Sequence, residues 1–304
     1  MSTRRGQPHR LVHRESIAEV FLTDWCIEGS HVCLRAQLPR RHLMSDVRLK
    51  DFALLMEVTR QSSILAAHEL CSVPQHSAFI FKSLDVHLTP EQGGNYARSG
   101  DLYVDLDVEP SRNSRGVVTE YKFAALLRSG MHEVMHGLGS TVITSARQWK
   151  ILAIRRQQRR HEKMDAPTAT VAHPSEVGRR DVSNVVISSI THRGNSFEST
   201  LIIDQGHPFH FDHPQDHAPG TLLFDACRQI TTGGHLLLST RPASVDSTDV
   251  TINFEDYCEL DAPAQLIASC IASDPTRDQR IWSVSLHQDG RKCLEATTVT
   301  RRVS

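Results

Sequence analysis

The chain has 304 residues, room for two domains of about 130–150 each, and its formal net charge of −1 offers no global field that would favour nucleic acid or an anionic membrane. Hydrophobic residues make up 39% and charged residues 23%, the balance of an ordinary globular protein, and no apolar run approaches the ~20 residues of a membrane span. The basic start MSTRRGQPHRLVHRE has no apolar core behind it and does not read as a signal peptide, while seven scattered cysteines without a CxxC pair argue against a disulfide framework and point to a reducing cytoplasm.

In chain order, short strands are expected near 18–23 and 31–37, then a loop carrying His42. A helix near 48–71 is rich in Leu, Ala, Met and Glu and has no internal Pro or Gly. Four extended segments follow, AFIFKSLDVHL (78–88), DLYVDLDV (101–108), VVTEYKFAALL (117–127) and VMHGLGSTVIT (134–144). The charged, then Pro-containing stretch that follows reads as an inter-domain linker over 151–181, between domains 1–150 and 182–304. Its basic run (Arg155, Arg156, Arg159, Arg160) is expected to be a solvated helix end. The second half begins with segments near 183–190 and 197–204, a His-rich loop and a helix near 218–238. DVTINFEDYCEL (249–260), AQLIASCIAS (264–273), RIWSVSLHQD (280–289) and KCLEATTVTR (292–301) close it. One long helix followed by a four-strand meander, twice, predicts an α+β fold in which each antiparallel sheet wraps its own helix.

The halves also share residues. LLMEVTRQ (54–61) and LLFDACRQ (222–229) both run Leu-Leu, a large apolar residue, an acid, two smaller residues and Arg-Gln, at an offset of 168. The same offset carries His42 onto His210. Glu57, Arg60 and Gln61 stand at i, i+3 and i+4, as do Asp225, Arg228 and Gln229, so each trio shares a helix face. The plain reading is a local ion pair. These helices are apolar elsewhere, however, and a buried acid beside an Arg costs several kcal/mol unless it is paired or faces a pocket. Both readings stay open from spacing alone.

Two other motifs carry chemistry by residue type. HEVMH (132–136) is a literal HExxH, but the flanking Gly130, Gly137 and Gly139 and the β-branched STVIT mark a strand. Four residues of strand span roughly 13 Å, too far for two imidazoles to share one zinc. The loop HPFHFDHPQDHAPG (207–220) holds His207, His210, His213 and His217. Pro208 and Pro214 break any continuous helix there and no acid or cysteine repeats in a ligand pattern, so no metal is expected. His210 is the preferred candidate because of its repeat partner. Pro219-Gly220 opens the second helix, where free N–H groups can cap the helix or stabilise an oxyanion or phosphate.

A Pro-Gly step five residues before an acid-Ala-x-x-Gln stretch, GTLLFDACRQ (220–229), resembles hotdog-fold acyl dehydratases and their relatives. LVHRESIAEVFLTDW (11–25), EVTRQSSILAAHE (57–69) and HPQDHAPGTLLFDACRQ (213–229) look more specifically like the signature blocks of A-factor-type γ-butyrolactone synthases. That resemblance covers nearly the whole chain and implies two tandem hotdog domains forming a pseudo-dimer. It implies an acyltransferase that moves a β-ketoacyl group from acyl carrier protein to dihydroxyacetone phosphate, whose product cyclises to a butenolide phosphate. It maps the family's acids and Arg onto Glu57, Asp225 and Arg228, with Asp225 one methylene shorter than the usual Glu. On this reading Glu57 or Asp225 is the base and the Gly220 amide region faces the oxyanion. Arg228 and Arg60 hold phosphate; His210 is taken as a further catalytic residue, and His42, Gln61, Gly220 and Gln229 as substrate-binding. No metal or redox cofactor is called for. The rivals are another hotdog enzyme, a dehydratase or thioesterase, and a non-catalytic regulatory protein that keeps the fold.

Overall fold

A computed structural model describes residues 8–45, 52–89, 100–158, 169–239 and 244–303. The chain separates into two compact units, 1–158 and 159–304. The first opens with a short helix, α1 (Pro8–Leu11), and a 3₁₀ turn, Ile17–Glu19, before strands β1 (Leu22–Glu28) and β2 (His31–Gln37). Helix α2 (Phe52–Glu69) follows, then β3 (Ala78–Leu88), β4 (Asp101–Arg112), β5 (Val118–Ser129), β6 (His132–Thr144) and helix α3 (Ala146–Gln158). The expected helix thus begins at 52 among the described residues, and 48–51 lie outside them.

The strands of this unit pair antiparallel in the order β1-β2-β4-β5-β6-β3. This corrects the simple meander. β3 hydrogen-bonds to β6 rather than to β4, and short turns join β4 to β5 and β5 to β6. Alternate sheet residues (Leu34, Val104, Leu106, Tyr121, Phe123, Leu127, Met135) are buried. Every α2 residue from Phe52 to His68 except Arg60 is buried, as expected of a helix enclosed by a sheet.

The second unit repeats the plan. A 3₁₀ turn at Val182–Asn184 precedes β7 (Thr191–Arg193) and β8 (Ser196–Thr200). Helix α4 (Gly220–Leu238) comes next, then β9 (Ser244–Phe254), β10 (Gln265–Asp274), β11 (Gln279–Gln288) and β12 (Arg291–Val303). The order is β9-β12-β11-β10-β8-β7. The segment near 18–23 forms the end of a 3₁₀ turn and then enters β1 at Leu22, and that near 183–190 leaves a 3₁₀ turn and makes isolated bridges at Ile187 and Ser188; backbone groups in and just after the two turns serve a helix glutamine as described below.

Two glycines in the middle of α4 would ordinarily cost a helix about 1 kcal/mol each. Here they permit contact. A Cβ at Gly233 would meet Ile190 Cδ1 at 2.3 Å and the Glu176 carbonyl at 2.9 Å, and one at Gly234 would strike the Trp282 ring at 2.8 Å.

The stretch expected to be a linker carries ordered structure at both ends. Its start is the last part of α3, where Arg155 is exposed as expected of a solvated helix end, whereas Arg156 is buried with its guanidinium 5.7 Å from the Trp149 ring, a correction for that residue. Arg159 and Arg160 lie outside the described residues. Its end, Pro174–Arg180, packs in the second unit, with Val177 and Arg179 buried.

Candidate active site

Glu57 stands in the first turns of α2 with no exposed surface. Arg14 donates from Nε to its Oε1 at 2.9 Å, and Arg60 donates from Nε to Oε2 at 2.7 Å and from Nη2 to Oε1 at 2.8 Å. Gln61 Nε2 adds a bond to Oε1 at 2.8 Å. Burial alone pushes this carboxyl up, but the Arg14 and Arg60 charges and the bonds from Arg60 and Gln61 outweigh it and hold it at about 2. Each oxygen accepts from at least one guanidinium, so Glu57 is a weak base and a strong anchor.

Gln61 ties the helix to the chain before β1. Its Nε2 donates to the Glu19 carbonyl at 2.7 Å and its Oε1 accepts from the Phe21 N–H at 2.9 Å. Gln229 does the same in α4, donating to the Asn184 carbonyl at 2.7 Å and accepting from Val186 N–H at 3.0 Å. Glu19 and Asn184, and Phe21 and Val186, are separated by 165 residues, not 168.

That second offset runs through the whole segment. His13 (φ 52) and Gly178 (φ 72) are both left-handed. Ser16 and Asp181 each cap the 3₁₀ turn after them with a side-chain oxygen. Arg14 and Arg179 fall between, and Arg179 Nη2 donates to Asp225 Oδ1 at 2.5 Å as Arg14 does to Glu57. Arg14 and Arg179 are therefore a repeated pair that the helix alignment missed. The three-residue difference in loop length between the halves hid them.

The same offset corrects the pairing of His42 with His210. His42 Nδ1 accepts from Met44 N–H at 3.1 Å, so its Nε2 carries the proton and donates to Glu19 Oε2 at 3.2 Å. His207, 165 residues on, accepts at Nδ1 from Phe209 N–H at 3.3 Å, with Nε2 3.3 Å from Asn184 Oδ1. His207 is the structural counterpart of His42. At the place of His210 the first unit has Ser45.

His210 is thus particular to the second unit. Its side chain and that of Asp225 have no exposed surface, and its Nε2 lies 3.9 Å from Asp225 Oδ2 while Nδ1 lies 3.3 Å from Thr221 Oγ1. Gln229 Nε2 donates to Asp225 Oδ2 at 3.0 Å. Arg228 reaches Asp225 Oδ1 only at 3.4 Å and turns its Nη2 to Asp246 Oδ1 at 2.8 Å. The Asp246 side chain is 31% exposed, so this end of the cluster meets solvent.

Four histidines of one loop therefore part company. His207 and His210 are buried, whereas His213 and His217 are only partly covered and sit beside Asp212 (3.4 Å) and Asp216 (2.7 Å). Gly220 opens α4 on the surface, and a Cβ added there would meet only the Phe254 ring at 3.7 Å, an ordinary contact. Nothing within the fold demands glycine at that place. Burial, reinforced by the Asp225 charge, raises the Cys227 thiol to about 12 and keeps it neutral, so it is a poor nucleophile. HEVMH lies on β6 as a strand, with Glu133 and His136 exposed and 3.3 Å apart.

Comparison with known proteins fits this repeated architecture. Residues 3–125 and 161–304 match the family described as the A-factor biosynthesis hotdog domain. The chain belongs to that family. It is 30% identical over 301 residues to a 2-oxo-3-(phosphooxy)propyl 3-oxoalkanoate synthase of Streptomyces virginiae, covering 97% of each chain. A protein of the same description from Streptomyces griseus is 26% identical over 284 residues, covering 92% of this chain and 90% of that one. Among solved structures, the dehydratase domain of RzxB from Pseudomonas fluorescens superposes with a TM-score of 0.52 at 11% identity, covering 93% of this chain and 98% of that one. The tesB protein of Mycobacterium avium subs paratuberculosis gives 0.51 at 10% identity, over 98% and 99%. At such identities the structures share the fold alone, a tandem hotdog, in which each central helix and its wrapping sheet form one repeat.

Among the described residues, no helix is long and apolar enough to cross a membrane.

Proposed function

We propose that the protein transfers a β-ketoacyl group from a carrier-protein thioester to the free hydroxyl of dihydroxyacetone phosphate, and that the second unit's cluster does the chemistry. The observation that carries the reaction is the full-length match to a synthase named for that ester, 97% of each chain. The assignment of residues rests on His210 lying 3.9 Å from Asp225, a pair the first unit lacks.

The hydroxyl oxygen attacks the thioester carbonyl, forming C–O, while its proton passes to His210 Nδ1, the nitrogen beside Thr221, with the Nε2 proton directed at Asp225. Asp225 stabilises the imidazolium so formed. The tetrahedral oxyanion is met by amides at the start of α4, around Gly220 and Thr221. Collapse breaks C–S, and the departing thiolate takes the proton back from His210. Arg228 binds the phosphate bidentately by exchanging its Asp246 partner for phosphate oxygens at the solvent-facing end of the cluster. Glu57, held by Arg14, Arg60 and Gln61, is the first unit's structural equivalent, and Arg60, Gln61 and His42 belong to that anchor.

The test is to incubate purified protein with a β-ketoacyl thioester and dihydroxyacetone phosphate and to look for the phosphorylated ester, or its cyclised butenolide, by mass spectrometry. Thioester hydrolysis with no dependence on dihydroxyacetone phosphate would establish a thioesterase instead. Carrier-protein-bound and small-molecule thioesters compared at equal concentration test the carrier: a much higher kcat/KM for the former is expected.

A further inference from the structure

The first unit carries a second group of reactive side chains on its sheet. Cys26 of β1 stands directly opposite Cys33 of β2, and Cys33 stands opposite Asp105 of β4, with His31 opposite Asp107. Directly opposed residues share a sheet face, as do His31 and Cys33, two apart on one strand. Val32 and Leu34, which alternate with them, are buried, so the five side chains rise from the outward face. One ligand atom from each of His31, Cys33 and Asp105 lies within 4.8 Å of the other two, and the Cys33 thiol is hydrogen-bonded with Cys26.

The surroundings orient these atoms. Asp107 Oδ1 is 3.0 Å from His31 Nδ1, which places the proton there and turns the Nε2 lone pair toward the group. Arg128 holds Asp105 by Oδ2, leaving Oδ1 3.6 Å from His31 Nε2. A lone pair facing a carboxylate oxygen is a contact between two acceptors, and a cation between them relieves it. Tetrahedral zinc, with bonds of about 2.0–2.3 Å, sets its ligand atoms roughly 3.3–3.8 Å apart, a range that contains the His31–Asp105 distance.

We propose that His31, Cys33 and Asp105 form a zinc site that clips β2 to β4, with Cys26 of β1 standing opposite Cys33 beside it. Thiolate and imidazole donors favour zinc over calcium or magnesium. Asp107 and Arg128 are its outer partners, in the manner of carboxylate-bound metal histidines. The rival occupant is a second proton on His31, giving an imidazolium between Asp105 and Asp107.

The experiment uses full-length protein, chelator-treated and kept reduced, titrated with Co²⁺ and then Zn²⁺. One Co²⁺ per chain with a thiolate-to-cobalt charge-transfer band, abolished by Zn²⁺ displacement, is expected. Cys33→Ser should remove the band, and Asp107→Asn should weaken Zn²⁺ binding about 10–100-fold. Zn²⁺ should raise the Tm of the wild type and leave that of Cys33→Ser unchanged. The proposal is overturned by no band in the reduced wild type, or by a band that survives both Cys33→Ser and His31→Ala. It is also overturned if His31 titrates identically by NMR with and without Zn²⁺, since a proton then occupies the place. His31→Ala and Cys33→Ser lie outside the acyl-transfer cluster, so loss of metal binding and loss of synthase activity are separate readouts.

Discussion

Replacing Glu57 by Gln removes the charge that the buried Arg14 and the partly exposed Arg60 share. The carboxyl lies at about 2 in the folded protein against an ordinary 4.5. At ~1.4 kcal/mol per pH unit that gap is worth about 3 kcal/mol of stability. A second route gives a similar figure: breaking a buried ion pair by removing one partner costs about 3–5 kcal/mol, because Arg14 and Arg60 are left without their counter-charge. The sign follows from a lowered value. The stabilisation is present in full above the unfolded-state value near 4.5 and is lost as pH falls toward 2. At pH 3, about 2 kcal/mol of it should be gone. The assay is urea unfolding of wild type and Glu57→Gln by circular dichroism from pH 7 to pH 3. The difference between them should be about 3–5 kcal/mol near neutrality and should shrink steadily below pH 4.5. A difference that stays constant to pH 3, or never exceeds about 1 kcal/mol, would refute the reading of Glu57 as an ionised anchor.

Arg179→Lys keeps a charge near Asp225 but loses the fork, so it should retain much of the stability and lower kcat, whereas Arg179→Ala should destabilise by about 3–5 kcal/mol; thermal melts and steady-state kinetics separate the two effects. Asp246→Asn removes the anion that competes for Arg228 and should lower KM for dihydroxyacetone phosphate with little change in KM for the thioester; equal changes in both would count against Arg228 as the phosphate contact. Gly233→Ala drives a methyl to within 2.3 Å of Ile190 Cδ1 and should cost about 1–3 kcal/mol by chemical denaturation. Gly220→Ala meets no such barrier and should leave stability nearly unchanged while reducing turnover, the pattern of a backbone that a substrate approaches.

Much of the frame was legible because two signals were strong. LLMEVTRQ and LLFDACRQ betrayed the duplication, and two long apolar helices, the first without internal Pro or Gly, announced enclosed cores. Strand boundaries were readable wherever side chains alternate between a buried and an exposed face, as along DLYVDLDV. Strand order was not, since the alternation of β3 is the same whether it pairs with β4 or β6. Nor were the 3₁₀ turns legible, because their backbone bonds go to Gln61 and Gln229, about 40 residues away in sequence. One offset applied to the whole chain then produced a specific error. The helices align at 168, but the segments before them align at 165. His42 was matched to His210 instead of His207, and Arg14 and Arg179 went unseen. A second offset tested on SIAEVF against DVSNVV would have exposed both.

The shorter acid of the second repeat explains how two similar clusters come to differ. Glu57 has the reach to engage Arg60 through two bonds of 2.7 and 2.8 Å, which closes the first cluster on itself. Asp225 lacks one methylene, so Arg228 meets it only at 3.4 Å and turns outward to Asp246 at 2.8 Å. Beside Asp225 stands an imidazole, His210, and the aligned residue of the first unit is Ser45. Duplication supplied two copies of a buried acid strapped by an arginine from outside the helix. In one copy the longer acid completes its own ion pairs and the strap serves stability. In the other, Arg228 is shared between Asp225 and Asp246 and an imidazole stands 3.9 Å from the carboxylate, the groups to which the proposed acyl transfer is assigned. Asp225, one methylene shorter than Glu57, is on this argument what distinguishes the second unit's cluster from the first's.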